Sequence, residues 1–335
     1  MSDIAVLGAG AWGTALAIHL ARTGHKVNLW AHSATHAEQM ELQRENTRYL
    51  AGFTLPPGLV VTHHLEAALK GSEAVLLVVP SDAFSGVLRQ VSNILGASPA
   101  YLAWATKGFE PEQHRLLHQV VQDELGVETP VAVLSGPTFA DEVAQGLPTA
   151  MVSASPQAEQ AQFWADAFHA DRFRVYTQGD IAGVEVGGAY KNIMAIATGV
   201  SDGLGLGANA RAALISRGMA EMMRFGSIYN ALPETLMGLA GLGDLVLTCT
   251  DDLSRNRRFG LRLAQSGKSA IEVQQEIGQV VEGVKAVKVV KYLADKHQLD
   301  LPIMQQVYAL VMQQITPKQA VSQLLSRTSK SEAEA

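Results

Sequence analysis

Three groups of residues in this chain have the types and spacing that chemistry asks for. The first is a lysine inside an apolar helix. Residues 181–200 are apolar nearly all round, the pattern of a buried helix, and the centre reads Val184-Glu185-Val186-Gly187-Gly188-Ala189-Tyr190-Lys191-Asn192. Gly187 and Gly188 stand one turn before Lys191 and Ala195 one turn after it, so that face is expected to be bare enough for a small ligand. Burial lowers a lysine pKa towards the range of a general base, which makes Lys191 the candidate proton acceptor. The competing reading is a structural lysine paired with Glu185 or another carboxylate.

The second group is Ser254-Arg255-Asn256-Arg257-Arg258, which sets guanidinium groups beside a hydroxyl and an amide, the donors that hold a phosphate. A solvated helix start with a basic face is the alternative, above all for Arg257 and Arg258. The third is Gly8-Ala9-Gly10-Ala11-Trp12-Gly13, which follows the apolar run Ile4-Ala5-Val6-Leu7 and leads into an Ala/Leu-rich helix over residues 14–22. In that setting Gly8 permits the turn, Gly10 admits a pyrophosphate and Gly13 lets helix pack on strand, with the first N–H groups near Ala11 and Trp12 holding the phosphates.

The elements that must position these groups follow from the pattern of apolar runs. A second strand over residues 26–31 completes a βαβ unit, and it ends in Trp30-Ala31-His32-Ser33 with no acid to take a ribose 2′-OH. With Arg44 and Arg48 further on, this favours a 2′-phosphate and hence NADPH over NADH; His32 is the candidate contact, a plain surface histidine the alternative. A polar helix is expected over residues 35–48, followed by strands over 60–62, 73–81, 101–105, 131–135, 148–153 and 173–177. Helices are expected between them, over 65–70, 84–94, 114–125 and 157–169. Such alternation predicts parallel strands with sites beyond their carboxyl ends, where Thr106-Lys107-Gly108 and the segment Ser135-Gly136-Pro137-Thr138-Phe139-Ala140 fall.

From residue 181 to 325 strand periodicity gives way to helical stretches punctuated by glycine. We therefore expect a dinucleotide-binding Rossmann-like domain over 1–180, a helical substrate-binding and catalytic domain over 181–326, and a fraying tail over 327–335. The glycine-rich stretch 199–211 has no strand leading into it and reads as an irregular loop between helices. Gly278-Gln279-Val280-Val281-Glu282-Gly283 is an apolar turn with one acid that the residues alone do not assign.

Composition sets the frame around these motifs. The chain has 335 residues, 47% of them hydrophobic, and a formal net charge of −6, which disfavours a general nucleic-acid binder. The single cysteine, Cys249, excludes a disulfide framework and suits a reducing cytosol, and its expected role is that of a small buried residue. No basic segment precedes an apolar signal core and no apolar run has membrane-spanning length, so a cytoplasmic protein without membrane partner is expected. No metal site is expected.

Seven separated motifs, in order, identify the chain as resembling the bacterial NAD(P)-dependent glycerol-3-phosphate dehydrogenases. They are residues 8–13, Trp104 to Gly108, Ser135 to Ala140, Gly187 to Asn192, Gly241-Leu242-Gly243-Asp244, Ser254 to Arg258 and Gly278 to Gly283. The resemblance runs from Ile4 to about Leu325. It implies a Rossmann-type parallel-sheet domain followed by an all-helical domain of the 6-phosphogluconate dehydrogenase-like type. It also implies that Lys191 is the proton acceptor and that Lys107 touches both cofactor and substrate. Gly136, Thr138, Asp244, Ser254, Arg255 and Asn256 would line the glycerol phosphate site. Ala11, Trp12, His32, Ala140, Arg255, Val280 and Glu282 would contact the cofactor, NADP(H) or NAD(H). The family usually has Ser where this chain has Ala11, which removes a side-chain contact there, and it varies at His32.

The implied reaction exchanges a hydride with carbon 2 of sn-glycerol 3-phosphate to give dihydroxyacetone phosphate, and it would feed phospholipid synthesis. Two rivals are a 3-hydroxyacid dehydrogenase of the same build, which would bind a carboxylate where this chain offers the Ser254–Arg258 cluster, and a dinucleotide sensor, which would need no helix lysine. The oligomeric state stays open at this point, a homodimer included.

Overall fold

The computed structural model describes residues 1–96 and 99–327. The chain divides into two compact units, Met1–Thr106 with Leu117–Ile181, and Lys107–Leu116 with the chain from Ala182 onward. The units part between Ile181 and Ala182, and residues 107–116 belong to the helical unit. The reason is apolar: Phe109 and Leu116 are buried in the helical core, where Phe109 meets Phe225 edge-on at 5.8 Å.

The first unit runs β1 (Asp3–Leu7), α1 (Ala11–Arg22), β2 (Lys26–Trp30), α2 (Ala34–Gln43), β3 (Glu45–Asn46), β4 (Leu50–Thr54), β5 (Leu59–Thr62), α3 (Leu65–Leu69), β6 (Ala74–Leu77) and α4 (Phe84–Leu95). It continues with β7 (Tyr101–Trp104), α5 (Leu117–Leu125), β8 (Val131–Ser135), α6 (Ala140–Gln145), β9 (Thr149–Ala154), α7 (Ala158–Phe168) and β10 (Phe173–Gln178). Among the described residues these form an eight-stranded sheet in the order β10-β9-β8-β7-β6-β1-β2-β5. Neighbours from β5 to β8 pair in parallel, and β1 is central, so Ile4, Val6 and Leu7 are fully buried.

The expectation of uniformly parallel strands fails at one place. β9 pairs antiparallel to β8, with Leu134 opposite Ser153, and β10 is parallel to β9. The link between β8 and β9 carries only the six-residue α6, while the longer α7 crossover restores the parallel sense from β9 to β10.

The helix expected to run to residue 48 stops at Gln43. Arg44 adopts φ +51°, and its guanidinium donates to the carbonyls of Pro56 and Leu59, both at 2.8 Å, which folds the chain back into the β3–β4 hairpin. That use withdraws Arg44 from the 2′-phosphate role suggested by its position in sequence.

The second unit is built on α8 (Ile181–Gly203), with α9 (Gly207–Gly226), α10 (Pro233–Leu236), α11 (Asp244–Thr250), α12 (Arg255–Ser266), α13 (Ala270–Ile277), α14 (Glu282–His297), α15 (Pro302–Val311) and α16 (Pro317–Leu325) around it. Val186, Ala189, Tyr190, Ile193 and Met194 of α8 are fully buried in its core. The stretch read as an irregular loop, 199–211, is mostly helix, broken only at residues 204–206. Its helical glycines serve packing: a Cβ on Gly199 would strike the Arg257 carbonyl and one on Gly203 the Leu261 carbonyl, while one on Gly260 of α12 would strike the Ile196 carbonyl, so α8 and α12 cross at backbone distance. Of the tail, Arg327 is tied to Asp300 at 2.8 Å, and residues 328–335 lie outside the described residues.

Candidate active site

In the second unit one carboxylate stands between two lysines. Lys191, 8% exposed, donates from Nζ to Asp244 Oδ1 and to Thr248 Oγ1 at 3.0 Å. Lys107 Nζ donates to the other oxygen, Asp244 Oδ2, at 2.6 Å. Burial pulls the Lys191 pKa down to about 8, with the nearby Lys107 charge acting in the same direction and Asp244 opposing both. A lysine near that value can hold or release a proton close to neutral pH, as a general acid–base requires. The carboxylate that meets Lys191 is therefore Asp244, on another helix, and not Glu185.

Asp244 reaches Lys191 because the chain before α11 makes a π-helical turn over Leu239–Gly243. Gly187 of α8 lies directly beneath it, where a Cβ would come within 2.5 Å of the Ala240 carbonyl oxygen. The expected bare face is thus occupied at Gly187 by polypeptide. The glycine serves to bring the carboxylate to the lysine.

Most of the arginine segment braces the fold. Ser254 is the N-cap of α12, accepting from Arg257 N at 3.2 Å. Asn256 donates to Asn192 Oδ1 and accepts from Gly283 N, both at 2.8 Å, and so ties α8, α12 and α14 together. Arg257, 6% exposed, pairs with Asp202 at 2.6 Å and with Asp252. This withdraws Arg257 from phosphate binding and commits part of the Asn256 amide to structure. Arg255 opens α12, half-buried. In the last motif Val280 is exposed, and Glu282 starts α14, 3.9 Å from Lys285.

The remaining candidates lie in the first unit. Gly8 turns with φ +123°, and a Cβ on Gly13 would overlap the Gly8 carbonyl oxygen, so α1 starts hard against β1. Nothing lies within 4 Å of where a Gly10 Cβ would stand, and α1 has no side-chain cap, which leaves the N–H groups around Ala11 and Trp12 for an anion. These features fit a dinucleotide pyrophosphate. His32 follows β2, exposed, its ring edge-on to Trp30 at 6.0 Å; Arg48 is exposed and lies over the Tyr49 ring at 5.0 Å. Gly136 and Thr138 follow β8, the Thr138 hydroxyl donating to the Gly136 carbonyl at 3.1 Å, and Ala140 begins α6.

Thr248 and Asn192 carry no assigned role in the sequence, although the spacing of Asp244 and Thr248, four residues apart on a helix, places both on one face. Cys249 is fully buried and burial pushes its thiol up to about 12, so it is not a nucleophile. Among the described residues no His/Cys/Asp/Glu cluster could hold a metal, and no helix is long and apolar enough to cross a membrane.

Residues 3–161 match the family described as NAD-dependent glycerol-3-phosphate dehydrogenase N-terminus, and residues 180–322 match its C-terminus. The chain is 65% identical over 333 residues to the glycerol-3-phosphate dehydrogenase [NAD(P)+] of Hydrogenovibrio crunogenus, covering 99% of this chain and 97% of that protein. It is 51% identical to the protein of that name from Xanthomonas euvesicatoria, at 99% and 98% coverage. Among solved structures, the glycerol-3-phosphate dehydrogenase of Coxiella burnetii superposes with a TM-score of 0.93 at 48% identity, covering 97% of this chain and 99% of that one.

Proposed function

Since the chain belongs to the NAD-dependent glycerol-3-phosphate dehydrogenase family, we propose that it interconverts sn-glycerol 3-phosphate and dihydroxyacetone phosphate with an NAD(P) cofactor, supplying glycerol 3-phosphate for phospholipid synthesis. The observation that carries this reading is the buried Lys107–Asp244–Lys191 array. The nicotinamide, when bound, supplies and takes up the hydride. Lys191 as the ammonium gives a proton to the ketone oxygen during reduction, and as the neutral amine takes it back during oxidation. Lys107 stabilises negative charge developing on that oxygen, and Asp244 keeps the two lysines in place. Arg255 with the Ser254 hydroxyl holds the phosphate. The Gly8–Gly13 turn and the N-terminus of α1 bind the pyrophosphate.

Two finer assignments belong to the same reading. NADPH is preferred over NADH, a reading supported by a β2 that ends in Trp30 with no acid after it and by the exposed His32 that follows, the residue we assign to the 2′-phosphate. The enzyme acts in the cytoplasm, a setting suited to a lone buried cysteine.

The test is oxidation of NADPH and of NADH by dihydroxyacetone phosphate, with Lys191→Met as control. The methionine keeps the bulk of the side chain, so loss of the proton carrier should lower kcat roughly 10²–10⁴-fold while cofactor affinity stays. Turnover of hydroxyisobutyrate in place of the phosphorylated substrate, or a Lys191→Met enzyme of near-normal kcat, would overturn it.

A further inference from the structure

Asn46 is fully buried, and its side chain makes four hydrogen bonds in the first unit. Its Nδ2 donates to the Ala9 carbonyl at 3.0 Å and to Thr14 Oγ1 at 2.8 Å, on either side of the start of α1. Its Oδ1 accepts from Tyr49 N at 3.2 Å and meets His36 Nε2 at 3.0 Å. The polarity of this set is forced. A backbone carbonyl only accepts and a backbone N–H only donates, so the amide nitrogen faces Ala9 and the oxygen faces Tyr49 and His36. His36, itself 8% exposed, must then carry its hydrogen on Nε2.

The consequence lies in the peptide between Ala9 and Gly10. In a planar trans peptide the C=O and N–H point in opposite directions. Holding the Ala9 oxygen on Asn46 therefore turns the Gly10 N–H away from Asn46, at the residue whose side-chain position is open space. Without that anchor the Ala9–Gly10 peptide, flanked by a glycine, loses the hydrogen bond that fixes its orientation.

We propose that Asn46, locked by His36, is a positioning residue that pre-orients the Gly10 N–H for the cofactor's pyrophosphate. This rests on the reading of the glycine turn as the phosphate site. Asn46 touches neither substrate nor reacting atoms; it removes a conformational cost that the cofactor would otherwise meet on binding.

The experiment measures Kd for NADPH, ADP and adenosine, with kcat and the KM for dihydroxyacetone phosphate, in the full-length protein and in Asn46→Leu, His36→Leu and His36→Gln. Asn46→Leu should weaken NADPH and ADP about tenfold, the scale of one or two lost hydrogen bonds. Adenosine, kcat at saturating cofactor and the substrate KM should not move. His36→Leu should shift in the same direction, and His36→Gln, which keeps an N–H donor, should recover most of the loss. Those two variants carry the comparison if Asn46→Leu does not fold. An equal loss for adenosine, a fall in kcat, or unchanged ADP binding would overturn the proposal and leave Asn46 a structural residue. If the unsubstituted protein bound adenosine as tightly as ADP, the phosphate reading of the glycine turn would itself fail, and this proposal with it.

Discussion

Lys191 Nζ and Asp244 Oδ1 form a direct ion pair in which the side chains are only 10% and 1% exposed. The pair joins α8 to α11, and Asp244 also accepts from Lys107, so one negative charge serves two positive ones. Removing one partner of such a buried set leaves charge without compensation.

Asp244→Asn should therefore change the pH dependence of the reaction. Oxidation of the alcohol uses the neutral amine and should rise with pH through about 8, while reduction of the ketone uses the ammonium and should fall over the same range. Asp244 raises the Lys191 pKa against the effect of burial, so its loss should move both inflections to lower pH. The kcat profiles of the two directions check this; inflections that stay in place would show that Lys191 is not the titrating group.

The phosphate assignment predicts a selective effect at Arg255. Arg255→Ala should lower kcat/KM for dihydroxyacetone phosphate on the order of tenfold to a hundredfold, the size of a lost charge-assisted contact. Unphosphorylated dihydroxyacetone, already poor, should hardly change. Equal losses for both substrates would assign Arg255 to the cofactor or the fold. Arg258 would then be the next candidate, since Arg257 is held by Asp202 and Asp252.

Cofactor choice is tested at His32. A carboxylate there repels a 2′-phosphate and accepts from a 2′-OH, so His32→Asp should move the ratio of kcat/KM values from NADPH towards NADH. An unchanged ratio would place His32 outside the site, and attention would pass to Arg48, because Arg44 is bound to backbone carbonyls.

A buried carboxylate away from the chemistry should dominate one part of the stability profile. Glu221, 1% exposed, accepts from Tyr190 Oη at 3.0 Å and from the first amides of α15, Met304 N at 3.1 Å among them. Burial pushes it up to about 7. Below that pH the folded chain binds a proton that the unfolded chain has released, so stability should fall as pH rises towards 7, and Glu221→Gln should flatten that slope. Glu221→Ala, which strands three donors, should cost about 3–5 kcal/mol. Denaturant unfolding at pH 5.5 and 8 measures both; a Glu221→Gln profile with the original slope would assign the titration elsewhere.

The sequence by itself determined what depends on local pattern. The glycine turn between β1 and α1, the alternation of strands and helices to residue 178 apart from the β3–β4 hairpin and α6, the apolar α8 with a lysine at its centre and the arginine-rich start of α12 are written in periodicity and residue type, because neighbouring residues decide them. Family motifs then named Lys107 and Asp244 as site residues without saying that they would meet. Only the tertiary structure decided that Asp244 is the partner of Lys191, because a π-helical turn packed on Gly187 carries it there from 53 residues away. The same holds for the reversal of β9, the helical state of the 199–203 glycines, the commitment of Arg44, Arg257 and Asn256 to internal contacts, and the Asn46 brace on the phosphate turn. Each depends on which backbone or charge from a distant segment arrives beside it, and a chain read in order carries no record of that encounter.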